Sequence, residues 1–381
     1  MRTLLTVFAI ALALSVTTGC QGDIKGAPRI VKVATGMYHT VLLKDDGTVW
    51  AAGRNNCGQL GLEGTYQRGR FTQVPGLTGM VDVCAGNYYT VAVKDDGTVW
   101  VTGENRSAQL GLGNNRENRF GFVPVPGLVA AVAAAAGSGH TVVLKRDGTV
   151  WGAGWNGSGQ LGLGNVAHGG ISNATEFTPL PGITGGRQLL AGSEYTMVLR
   201  TDGTLWGTGS NYHGELGLGA GTEEGHPYAF RQIFGVAGVR DISGRHRHTL
   251  LVKDDGTVWV TGENTHGQLG LGAGSPEKVT EFTQVPGITG ASRAVAGWGF
   301  SFVIMKDGRA YSTGWNDEGQ LGLGDKGDRD VFMKVPGVTG IVAGAAGAAH
   351  TMLLDVHGEV LGTGSNLYGQ LGKDFMSGFG I

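Results

Sequence analysis

Thr90-Val91-Ala92-Val93-Lys94-Asp95-Asp96-Gly97-Thr98-Val99-Trp100 carries two alternating apolar runs joined by Asp-Gly, and twelve residues after that glycine stands Gln109-Leu110-Gly111. Alternation turns one face of each run toward a core, and Asp-Gly supplies the positive φ that tight hairpins favour. The stretch therefore predicts an antiparallel hairpin. The same unit recurs along the 381-residue chain. Its Gln or Glu falls at Gln59, Gln109, Gln160, Glu215, Gln268, Gln320 and Gln370, in steps of 50, 51, 55, 53, 52 and 50. A period near fifty means that each unit is a small sheet that cannot bury its own face and must stack on its neighbours.

The register is tighter than the period. Seven residues separate the Thr or Ser opening the second strand from the turn glycine in every copy, from Thr40 to Gly47 through Thr351 to Gly358, and twelve more lead to the Gln or Glu. Insertions fall outside this span, mainly after Gly-Gln-Leu-Gly. Fixed strands with free loops are what packed sheets require, because a slip of one residue would turn the core face outward. The run 80–85 before the hairpin and the run 122–125 after it give each unit four strands. Four-stranded antiparallel blades repeated radially make a seven-bladed all-β propeller. The last unit lacks the Val-Pro-Gly strand, while Ile24-Lys25-Gly26 stands sixteen residues before Thr40, as Val74 stands sixteen before Thr90. The N-terminal segment is thus expected to complete the seventh blade, closing the ring by pairing the two chain ends.

Composition supports a folded chain. The 72 glycines lie in register with the repeat, accompanied by eight tryptophans and regular Val/Leu alternation. Charged residues make up 16% and the net charge is −2, so no basic surface argues for nucleic acid. Arg2 and the apolar run from Leu4 to Leu14 are too short for a bilayer-spanning helix and suit a secretory signal. The Gly19-Cys20 end resembles a bacterial lipoprotein signal, although Thr17 stands where such signals usually carry Leu. The expected organisation is a signal peptide over 1–19, lipidation at Cys20, a tether over 20–23 and the propeller over 24–381, exported and anchored to the bacterial cell envelope. Cleavage before Cys20 that leaves a free thiol is the alternative. Cys57 and Cys84 have no spacing signature; a bridge between them stays open, and Cys84, where other units carry Ala, reads as a small buried hydrophobe. No Cys-x-x-Cys points to zinc or redox chemistry.

Gly-x-x-His-Thr at Gly36–Thr40, Gly137–Thr141 and Gly347–Thr351, followed by Asp-Gly-x-Val/Leu-Trp and Asn-x-x-Gly-Gln-Leu-Gly, resembles the regulator of chromosome condensation repeat family over about residues 24–372. The resemblance implies a seven-bladed propeller, a fold that hosts unrelated tasks. The founding member is a nuclear nucleotide-exchange factor for a small GTPase; an exported chain without a basic arm argues against that activity here. A plant ultraviolet-B photoreceptor of the family uses Gly-Trp-Arg-His-Thr loops. Here Trp298 matches, but Met37, Asn87, Ser138, Ser193 and Ala348 stand in the other copies, which argues against a photosensor. A secreted bacterial member that inhibits β-lactamases binds its target with loops of this kind, in a fitting compartment.

Recurrent residues read as structure. Asp46, Asp96, Asp147, Asp202, Asp255 and Asp307 precede turn glycines and favour the turn locally. Trp50, Trp100, Trp151, Trp206 and Trp259, replaced by Tyr311 and Leu361, read as inter-blade packing. His39, His140, His248 and His350 share a position with Tyr89, Tyr195 and Phe300; Phe cannot ligate, so rings bonded to a neighbouring blade fit better than metal. No Gly-x-Ser-x-Gly, His-Glu-x-x-His or phosphate loop is present. The divergent positions are Tyr38, Tyr88, Glu194, Arg245, His246, Arg247 and Trp298, expected together at one end of the disc with Tyr228 of the long loop 223–228. The fifth copy alone gains a residue there. Exposed aromatics with arginine are typical of interface hot spots. The reading is a monomeric, non-catalytic, membrane-tethered scaffold, without cofactor or metal, that binds a protein or glycan through this face. The alternatives are an enzyme with its site at the propeller mouth and a purely structural envelope component.

Overall fold

In the second unit the strands run Met80–Ala85, Tyr89–Lys94, Val99–Gly103 and Arg119–Pro124, each antiparallel to the next in chain order. Thr90 pairs with Ala85 on one side and Thr102 on the other, so Val91 and Val93 lie buried in one cluster with Val99 and Val101. The computed structural model describes residues 27–372 apart from 65, 114–115 and 220–225. It is a seven-bladed all-β propeller. Six blades show four strands, and the seventh shows Ile341–Ala346, His350–Asp355 and Val360–Gly364 among the described residues. A 3-10 turn, Val166–His168, sits in the insertion after the third Gly-Gln-Leu-Gly.

Apolar clusters lie between blades rather than within them. Val41, Leu43, Leu60 and Leu77 of blade 1 share a cluster with Met80 and Val83 of blade 2, and Trp100 and Phe122 pack on it. The tryptophans are therefore inter-blade packing, with Tyr311 and Leu361 doing the same where Trp is replaced. Glycine is required at the second Gly of Gly-Gln-Leu-Gly. Gly111 has φ +64°, and a Cβ there would stand 2.4 Å from Cδ2 of Phe177 in the next blade. The ring closes the same way: Ile30, Val33 and Leu42 of blade 1 form one cluster with Met352, Leu354 and Val360 of blade 7, overlaid by Trp50, Phe71 and Leu371. The N-terminal strand expected at Ile24-Lys25-Gly26, the signal over 1–19 and Cys20 all lie outside the described residues.

Cys57 and Cys84 are both free thiols. Cys84 sits on the innermost strand of blade 2, and burial pushes its thiol well above the ordinary range.

Candidate functional site

Antiparallel order sets which loops share an end of the disc. Loops joining first to second strands and third to fourth strands lie at one end; the Asp-Gly and Val-Pro-Gly turns lie at the other. The candidate residues thus share a face.

Beneath that face runs a ring of joints. Thr90 donates its hydroxyl to the Gln59 carbonyl at 2.6 Å, and His39 Nε2 lies 3.0 Å from the Thr90 hydroxyl oxygen. A hydroxyl has one proton, so His39 must donate through Nε2–H. The Thr or Ser bond to the preceding loop recurs in all seven blades, closing with Thr40 on the Gln370 carbonyl at 2.7 Å. His140, His248 and His350 repeat the ring contact on Thr196, Ser301 and Thr40, at 3.0, 2.9 and 3.1 Å. Tyr195 reaches the His248 carbonyl at 2.8 Å, and Tyr89 donates to that of His140. Phe300 packs against Phe302 instead, with centroids 6.3 Å apart. Nδ1 of His39, His140 and His350 is buried without a hydrogen-bond partner. Protonation would leave a charged N–H unsatisfied, and burial lowers His39 and His350 to about 3 and His140 and His248 to about 4. These rings are fasteners.

Above them the divergent side chains form three clusters. Tyr38, Tyr88 and Tyr368 surround Arg54, whose guanidinium carbon lies 5.7, 5.6 and 5.1 Å from the three ring centroids. Such contacts contribute about 0.5–1 kcal/mol each at partly exposed sites. Tyr38 also lies 5.2 Å from Tyr368, which joins blade 1 to blade 7. A second cluster spans blades 3 and 4. Ser158 donates to Glu194 at 2.9 Å, and His226 packs between Tyr212 at 4.2 Å and Tyr228 at 6.0 Å. In the third, His246 meets the Trp298 ring edge-on at 4.7 Å, while Arg247 lies 3.5 Å from Glu263. Part of the long loop expected beside Tyr228, residues 220–225, lies outside the described residues.

Arg245 stands at the same end of the disc but turns inward, away from the other candidates. It ends the first strand of blade 5, Val239–Arg245, and its Nη1 donates to the Thr35 carbonyl of blade 1 at 2.7 Å. The side chain lies over the axial cavity, about 240 Å³ in volume, lined by the innermost strands. On its wall Lys32 pairs with Asp82, and behind the wall Asp241 accepts from the Ala294 amide at 2.9 Å and from Gln188 at 3.0 Å. Among the described residues no group of three or more His, Cys, Asp or Glu could hold a metal ion.

Arg54, Tyr368, Tyr212 and Glu263 belong to these clusters but are missing from the residues named on sequence. A signal was available for some. The residue before the loop Asn reads Arg54, Glu104, Trp155, Ser210, Glu263, Trp315 and Ser365, diverging as freely as the Gly-x-x-His positions do.

Known proteins share both pattern and shape. The model of the regulator of chromosome condensation (RCC1) repeat matches seven times, at 30–59, 80–109, 131–160, 188–215, 241–268, 293–320 and 341–370. Over 312 residues the chain is 29% identical to the ultraviolet-B receptor UVR8 of Arabidopsis thaliana, covering 81% of this chain and 70% of that one. Over 311 residues it is 36% identical to the probable E3 ubiquitin-protein ligase HERC4 of Homo sapiens, covering 79% of this chain but 28% of that protein. Human WBSCR16 superposes with a TM-score of 0.76 at 23% identity, over 87% of each chain. Prp20p of Saccharomyces cerevisiae, which has binding properties toward Gsp1p and histones, gives 0.75 at 22%, over 84% of this chain and 80% of that one. At such identities the likeness is one of fold. With seven registered matches over more than half its length, the chain belongs to the regulator of chromosome condensation (RCC1) repeat family.

Proposed function

We propose that the chain is a non-catalytic scaffold that docks a protein through its Gly-x-x-His face and is held at a cell-envelope membrane by acylated Cys20. The observation that carries the docking reading is Arg54 caged by Tyr38, Tyr88 and Tyr368 on that face. Tyr, Trp and Arg dominate interface energetics because each presents a large, partly rigid surface with a polar handle. The binding of Gsp1p and histones by Prp20p supports a protein rather than a sugar as the occupant. The Gly19-Cys20 end supports the tether.

The test is cross-linked capture from envelope extract by the intact protein. Tyr38→Ala with Tyr88→Ala is expected to cut capture at least tenfold while lowering the melting temperature by only a few degrees, and Arg146→Ala at the opposite end leaves capture intact. Retention by the double variant sinks the docking reading, and protease-resistant capture would make the partner a glycan. Mass spectrometry of the N-terminus reads the tether separately: an unacylated Cys20, or residues 1–19 still attached, overturns it.

A further inference from the structure

Arg245 is a half-buried cation facing the axial cavity, without a counter-ion among the described residues. The extra residue of the fifth unit explains its position. That unit extends its first strand to Arg245, and His246 takes a left-handed φ of +54° to rejoin the common register. In most other copies the corresponding residue is small or uncharged (Met37, Asn87, Ser138, Ser193, Ala348). The guanidinium makes one hydrogen bond among the described residues, to the Thr35 carbonyl, and no ion pair. The other charged residue that lines the cavity, Lys32, has a partner, as does Asp241 behind the wall. Lys32 meets Asp82, whose second oxygen accepts from the Ala134 amide at 3.1 Å; Asp241 is held by Gln188 and Ala294 with Arg293 at 4.0 Å. Even partial removal of a cation from water favours a compensating charge, so an unpaired one facing a cavity suits an anion there.

The surroundings offer further donors. Ser138 and Ser193 line the same cavity beside Asn87. Asn87 donates its side-chain amide to the Ser138 hydroxyl at 3.0 Å, which leaves the serine proton without an acceptor among the described residues. His39 and His350 feel the Arg245 charge but stay neutral, so they supply no counter-charge. We propose that the mouth of the axial cavity is a binding site for a small oxyanion, a carboxylate or phosphate, held by the free face of Arg245 and the hydroxyls of Ser138 and Ser193. Guanidinium matches the paired oxygens of such anions, and the cavity, about 240 Å³, admits one with water. This site stands independently of what docks on the face.

Inorganic phosphate and, separately, acetate are titrated into the purified full-length protein at constant ionic strength against chloride, reading melting temperature and, for phosphate, the ³¹P linewidth. The wild type is expected to show a saturable upward shift of a few degrees and line broadening. Arg245→Gln loses both; Ser138→Ala with Ser193→Ala, which keeps the cation, weakens the half-saturation point about fivefold; Arg247→Gln leaves it unchanged. The site is overturned by a wild type that responds to neither anion beyond chloride, or by Arg245→Gln retaining the response. An unaltered affinity in the double serine variant overturns it equally, even should Arg245→Gln fail to fold.

Discussion

The two ends of the disc differ in where their side-chain hydrogen bonds go. At the Asp-Gly end, Asp46 accepts from the amide and hydroxyl of Thr48, at 2.9 and 2.6 Å, and Asp96, Asp147, Asp202 and Asp255 repeat the pattern on their own Thr. Those bonds, two residues long and exposed, shape one turn each and hold the carboxyls below their usual range. At the Gly-x-x-His end the bonds run to the next blade, some fifty residues away, and are buried. Sameness at the first end preserves turns; at the second, recurrent fasteners free the residues just above them to diverge. The lesson is that in a repeat protein function belongs to the positions whose neighbours already do the structural task.

This contrast can be tested in order of expected effect. Gly111→Ala places a methyl 2.4 Å from the Phe177 ring at positive φ, so a loss of about 2–4 kcal/mol in denaturant unfolding is expected. A loss below about 1 kcal/mol would mean that the blade joint is not close-packed. Acid should act next, through the joints. Histidines with an ordinary pKa near 6.5 when unfolded are held at about 4 and 3 when folded. The unfolded chain therefore binds more protons in this window, so stability is whole above pH about 6.5 and falls progressively toward pH 3. His140→Phe, which borrows the ring seen at Phe300, should cost about 1 kcal/mol at neutral pH yet flatten this decline; an unchanged acid limb would contradict the assignment. Smallest should be Asp147→Ala at the other end, costing about 1 kcal/mol or less, since its bonds are local and wet. A larger loss there would erase the distinction between the two ends.

Much of this was legible in the chain. The hairpin around Gly97, the seven units and the packing role of Trp100 all follow from local chemistry repeated in fixed register. His39 and Phe300 could be assigned together because one position had to serve both. Arg245 could not, since an added residue changes the direction of a strand end and only the assembled ring shows what lies across the axis. Tyr368 was hidden for a related reason: it meets Tyr38 and Arg54 only because blade 7 comes round to blade 1. Pattern reading recovers contacts that each copy makes identically and misses those that one copy makes alone.

Among the described residues every blade is built from consecutive strands, yet the joint between His350 and Thr40 spans 310 positions. Local pairings close fast, and long loops cost entropy before contacts repay it. Each blade can therefore take shape as it leaves the ribosome and dock on the one before, with the long seam sealing last. Rejoining the chain with new ends between any two blades would shift that late step elsewhere on the circle and leave the finished disc unchanged.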